Sequence, residues 1–424
     1  MPVNQSLFSR CLAFLIFNLA VGYSHAAAKE IVLLSAENSV RHEAFDLRQH
    51  ISSKVAKQWQ VELTTLHGGM QEGCQLLTIH NGKLKILIVP NRGMSILRVE
   101  DTATGKVVFG WDSPVKEIVN PQFIDLESRG GLGWLYGFNE WMVRCGLEFA
   151  GHPGLDVMRS NTGDDKELDL TLHGRIGNIP ASELQLQVDE DNPTQLIVRG
   201  VIEERMFYGP QLRLVSELII HVNANEFRLK ESVHNLSAAD QEYQIIYHTN
   251  FGKPLLEAGA KVVLPTKKVT PMNQHAADSI ETYETYMAPT LGFSEQVYLI
   301  EPWYDKNGIT GAVLHDRKRQ RGALMTWSIE SLPYLTLWKN TAALADGYVT
   351  GIEPGSGYPF NRRIERHFGR VPVLRTGESQ VFDLNYKFLE NESAVISAIE
   401  RIEGIRDGRE AEVLSSPPEL PDFE

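Results

Sequence analysis

"LLTIHNGKLKILIVP", Leu76–Pro90, decides the fold class. Apolar and polar residues alternate on both sides of Asn81-Gly82, a pair that favours a tight hairpin because both residues tolerate positive φ. Working outward, "ILRVEDTATGKVVFGW" repeats the pattern around Gly105, and "TQLIVRGVIEERMF", "LRLVSELIIHV", "EFRLKESVHNL", "GALMTWSI" and "YLTLWKN" continue it. In "SQVFDLNYKFL", Phe382, Leu384, Tyr386 and Phe388 share one face, while Asp383, Asn385 and Lys387 share the other. Many strands at short spacing with few helices between them predict an all-β antiparallel sandwich and not a βαβ fold. "VRHEAFDLRQHISSKVAKQW" has helical spacing and predicts a short N-terminal helix, and "AVISAIERIEGIRDG" predicts a C-terminal one.

The chain has 424 residues, a net charge of −13 and 42% hydrophobic residues. That length supports a sizeable core. The acidic balance argues against nucleic acid and anionic membranes as partners and fits a protein acting on neutral ligands. Residues 1–28 have the layout of a secretory signal peptide: Arg10, an apolar run from Cys11 to Val21, and small residues at Ala26 and Ala28, where cleavage is expected. The run is shorter than the roughly 20 residues a membrane span needs. No later segment is apolar for long enough to cross, so a secreted or periplasmic location is expected. Residues 29–73 then read as a helical or extended lead-in, 74–390 as the β domain, and 391–424 as a helix with a disordered acidic tail. After cleavage only Cys74 and Cys145 remain, read as two separate buried thiols. Neither CxxC nor a Cys/His cluster with zinc-ligand spacing occurs, so no metal or cofactor is expected.

Nucleotide-binding glycine patterns, GxSxG and HExxH are also missing, which leaves side-chain acid–base work or plain binding. Three polar breaks at strand ends carry the remaining signal: "LHGRIGN" with His173, "YHTNFG" with His248 and Asn250, and "GIEPGSGYP" with Glu353. Glycines Gly174 and Gly177 beside His173 would let a ligand approach the backbone. A long Gly- and Trp-rich stretch, Gly130–Gly154, is irregular in a way that more often marks function than accident.

In order and local sequence these three sites resemble those of the aldose 1-epimerase (galactose mutarotase) superfamily, over about Gln75 to Leu389. "WMVRCGLEFAGHPG", "YHTNFGKPLLEAGA" and "LTLWKN" are most similar to an aldose-1-epimerase-like branch of it. The resemblance implies a large supersandwich with a small-molecule sugar in a cleft across one sheet. It implies His248 as acid, Glu353 as base and His173 as a polarising, substrate-binding group. Arg144, upstream of His173, is the best match to an arginine that grips sugar hydroxyls, and Asn250 joins the binding set. Trp134, Trp141 and Trp338 are candidate platforms for a sugar ring. Anomer exchange suits these groups: one removes the O1 proton, the other protonates the ring oxygen, and no metal or redox cofactor is required.

Two other readings stay open. A non-catalytic carbohydrate-binding protein would keep the cleft without turnover. A lyase or epimerase on an acidic sugar would use cations, and Arg362, Arg363 and Arg366 after Glu353 either serve it or form local ion pairs.

Overall fold

The structure is a computed structural model that describes residues 28–423. The expected signal peptide falls almost wholly outside the described residues. Two large, overwhelmingly antiparallel sheets of 13 and 10 strands pack face to face around one continuous apolar core. The expected all-β sandwich is what the chain forms. The Asn81-Gly82 hairpin forms as expected: Gln75–His80 pairs with Leu84–Val89, and Gly82 takes φ 95°. Asn81 instead uses its side chain, accepting from the backbone N–H groups of Lys83 and Leu84. Ser379–Leu389 lies in the ten-stranded sheet, with Phe382, Leu384, Tyr386 and Phe388 in the core.

The expected N-terminal helix is corrected. Residues 40–59 form the short strands Val40–Arg41 and Ala44–Asp46, a 3₁₀ turn at Leu47–Gln49 and one α-turn at Ser53–Ala56. Phe45 and Leu47 reach the core by alternation, and Ala44–Asp46 extends a sheet edge offered by Gln60–Thr65. Residues 29–73 therefore belong to the sandwich: Lys29–Ser35 pairs with Glu183–Val188, and Gln60–Thr65 with Gln75–His80.

At the other end, Glu392–Arg406 is the expected helix. The Asn391 side chain caps it through the Ala394 N–H, and Val395, Ala398, Ile402 and Ile405 are buried beneath it. The tail expected to be disordered is tied down at two points. Glu412–Val413 adds a parallel strand beside Lys268–Val269, and Phe423 lies 4.2 Å under the Arg363 guanidinium. Cys74 and Cys145 are free and buried. Among the described residues no helix is long and apolar enough to cross a membrane.

Candidate active site

Three neighbouring strands of the larger sheet make the floor of a cleft: Met142–Leu147, Gln244–Phe251 and Val349–Gly355. Alternation sorts their side chains. On the central strand Ile245, Tyr247 and Phe251 enter the core between the sheets, whereas Ile246 packs on the opposite side with Val143, Cys145 and Trp134. His248 shares that second face and opens into a cavity of ≈ 490 Å³ together with His173, Glu353 and Trp338. The irregular Gly130–Gly154 stretch supplies much of the wall, through Leu132, Trp134, Leu135, Phe138 and His152.

His248 and Glu353 sit on adjacent strands, and Nε2 lies 3.2 Å from Oε1. The sheet sets them side by side on the cleft floor. Both are nearly sealed from solvent. Burial pushes the Glu353 carboxyl well above its usual range, helped by the negative charge of Glu295. Burial likewise pushes His248 well below an ordinary histidine, with His173 adding to the effect. Both directions describe one state, a pair holding a single proton.

His173 stands at φ 60° in the loop after Asp165–Leu170. Its Nδ1–H donates to the Ala150 carbonyl at 3.0 Å, and burial lowers its pKa to about 4. The ring is neutral at pH 7, so its Nε2 is an acceptor for a hydroxyl. Its ring centroid is 5.3 Å from that of His248. Gly174 serves the protein's own packing: a Cβ there would overlap the carbonyl oxygens of Phe149 and Gly146. Gly177 likewise faces Val143 Cγ2. Neither opens the backbone to a ligand.

Trp338 lines the cleft, its ring centroid 5.5 Å from His248, and its indole N–H donates to Glu295 Oε2 at 2.7 Å. Trp134 lines it too, edge-on to His173. Three other expectations need correcting. Trp141 is in the core, stacked on Phe109 with centroids 4.9 Å apart. Arg144 also faces the core, where it pairs with Glu231 at 2.5 Å and donates to the Gly93 and Met94 carbonyls. Its strand neighbours Val143 and Cys145 take the cleft side, and a period of two forces Arg144 to the other. Asn250 does not line the cavity. It lies behind His248, with Oδ1 2.7 Å from Nδ1.

Sequence reasoning passed over His152, Glu295 and Thr336, which line the cavity as well. His152 stood in the quoted Gly/Trp stretch, and Thr336 in a strand whose faces could be sorted. Glu295 had no signal, because it lies in irregular chain. Among the described residues, no lysine or arginine lines the cavity. Arg362 and Arg366 are both engaged with Asp156, and Arg366 with Glu242 as well.

Residues 71–388 match the family described as a domain of unknown function, DUF4432. The chain belongs to the DUF4432 family. A solved structure from Klebsiella pneumoniae, described as a "putative aldose 1-epimerase", is 39% identical. The likeness covers 92% of the DUF4432 chain and 99% of that protein, with a TM-score of 0.85. A galactose mutarotase-like protein from Clostridium acetobutylicum shares the fold at 19% identity and a TM-score of 0.54, over 79% of this chain and 99% of that one. No functionally curated protein matches the DUF4432 chain. The fold is thus the galactose mutarotase-like sandwich that the resemblance implied.

Proposed function

We propose that the protein is an aldose 1-epimerase-like isomerase that exchanges the anomers of an uncharged sugar by acid–base ring opening. One observation carries the reading: His248 Nε2 and Glu353 Oε1 lie 3.2 Å apart on the cleft floor, where burial favours the uncharged form of each. O1 and the ring oxygen of an aldose are bonded to the same carbon, so one anomeric centre can reach both groups at once. While one group takes the O1 proton, the other protonates the ring oxygen, and the C1–ring-oxygen bond breaks to leave the open aldehyde. Rotation about C1–C2 and reclosure reverse both transfers and restore the pair.

The surroundings fit a polyol. Trp338, Trp134 and Phe138 offer apolar surface to a ring, and the neutral histidines and Glu295 offer acceptors to hydroxyls. A purely binding protein would gain nothing from burying a titratable pair, which costs stability and tunes proton affinity. An acidic sugar would meet the Glu295 carboxylate and, among the described residues, no lysine or arginine in the lining.

The test is equilibration of freshly dissolved aldoses, followed by polarimetry or exchange NMR. Glu353→Gln and His248→Asn should each slow it by about a hundredfold or more, the usual worth of a positioned acid or base. Sugar binding without any acceleration by the wild type would leave only the binding-protein reading. Export is part of the proposal, resting on the Arg10–Ala28 pattern. Mass spectrometry of protein from the native envelope should give a mature start at Ala27 or Lys29, and an intact Met1 in the cytosol would rule export out.

A further inference from the structure

The orientation of the Asn250 amide is fixed independently of His248's charge. Its Nδ2 donates to the Glu140 carbonyl at 3.0 Å and to the His248 carbonyl at 3.3 Å. Carbonyls only accept, so Nδ2 cannot exchange places with Oδ1. Oδ1 must then be the atom 2.7 Å from His248 Nδ1. An amide oxygen also only accepts, so the ring nitrogen beside it carries the hydrogen. The nitrogen facing Glu353 is left as a lone pair whenever the ring is neutral.

Glu353 completes the argument. Its Oε1 is buried and, among the described residues, has no hydrogen-bond donor upon it. His248 Nε2, at 3.2 Å, presents a lone pair in the neutral ring, and a carboxylate without a donor is far costlier there than a carboxyl. The other groups around the imidazole do not change the balance. Trp134, Phe138 and Trp338 face it with aromatic rings, and the neutral His173 lies beyond one edge. Cys145, on the neighbouring strand, is held as a thiol by burial. His152 and Glu295 complete the titratable lining, and the charge of Glu295 favours a proton on Glu353.

We infer that Asn250 is a positioning residue that locks His248 as the Nδ1–H tautomer, so that His248 opens the reaction as base and Glu353 as acid. These are the reverse of the roles implied by the family resemblance. The chemistry rests on the anomer-exchange reading, whereas the tautomer is a property of the resting protein. His248 Nε2 takes the proton from O1, the O1–H electron pair becomes the second bond of the aldehyde, and the C1–ring-oxygen pair goes to the ring oxygen. That oxygen takes the Glu353 proton. An imidazolium and a carboxylate now stand side by side, and reclosure returns both protons.

Rate–pH profiles cannot separate the two role assignments, because each places one proton on the pair. Spectroscopy of the wild type can. In ¹⁵N-histidine-labelled protein at pH 7, with the signal assigned by its loss in His248→Asn, Nδ1 should be pyrrole-like and Nε2 pyridine-like. Infrared spectra should show a protonated carboxyl band that disappears in Glu353→Gln. Two pyrrole-like nitrogens, or an Nε2–H tautomer, would overturn the inference. In Asn250→Asp the added carboxylate should turn His248 into an imidazolium at pH 7, abolish the carboxyl band and lower kcat by up to about a hundredfold with KM little changed. If Asn250→Asp does not fold, the wild-type spectra decide alone. Failure to turn over any aldose would sink the anomer-exchange reading and leave these spectra untouched; turnover alongside an imidazolium spectrum would sink only the role assignment.

Discussion

A φ of 60° is uncommon for any residue with a side chain, and His173 adopts it while holding a neutral, buried ring. Its pKa of about 4 lies below the value near 6.5 expected in the unfolded chain. The neutral form is therefore the one the fold favours. This contribution is complete above pH 6.5 and is lost as pH falls toward 4, by about 3 kcal/mol in all. Asparagine tolerates the left-handed region, so His173→Asn is the variant to compare. Urea titrations from pH 7 to 4 should show the wild type losing stability more steeply than the variant, and parallel curves would mean that the ring is not held neutral. Arg144 makes a different case. Arg144→Ala strands the Glu231 carboxylate in the core and should cost roughly 3–5 kcal/mol. The milder Arg144→Lys should destabilise less and leave sugar affinity intact by isothermal calorimetry; a loss of affinity in a folded variant would return Arg144 to the cleft.

Strands whose two faces differ in polarity could be read from the sequence, and those buried on both faces could not. Ser379–Leu389 alternates and was legible, as was the Asn81-Gly82 hairpin. Met142–Leu147 is buried at every position, so nothing in "MVRCGL" says which residues face the cleft. Arg144 was misplaced for that reason. Trp141, just before that strand, belongs to the same both-sides-buried stretch. Residues 40–59 failed differently: an i, i+2 pair at Phe45 and Leu47 and an i, i+4 pair at Val55 and Trp59 together mimic a helical stripe. His173, His248 and Glu353 were found because polar residues at strand ends break a period, while Glu295 breaks none. The Glu353 strand offers a clean test of the site. Gly351 shares a face with Glu353, and a Cβ on it would overlap the Glu353 carboxylate. Gly351→Ala should keep the circular dichroism and melting behaviour near wild type while lowering kcat by about a hundredfold, since the carboxylate must swing aside. Full activity in this variant would mean that Glu353 does not work from the position described.

At the scale of the molecule, the charge of −13 and a cleft lined by the Glu295 carboxylate and, among the described residues, by no lysine or arginine act in the same direction. A uronate should bind more weakly than its neutral parent aldose, and the gap should narrow as salt rises, because screening weakens the repulsion. Titrations monitored by tryptophan fluorescence, at low and high ionic strength, would show it; equal affinity for both sugars would point to a cation that the cleft lining lacks. The N-terminal strand has a consequence of another kind. Lys29–Ser35 covers Glu183–Val188, a six-residue strand whose Leu184, Leu186 and Val188 all face inward. Beyond it the sheet closes on Val40–Arg41, only two residues long and ending in a charge. Were Lys29–Ser35 to peel away, an alternating edge would present its free N–H and C=O groups to the same edge of another copy. Lys29–Ser35 thus guards the sheet against aggregation, and proteolysis near Glu37 should turn a clear solution turbid.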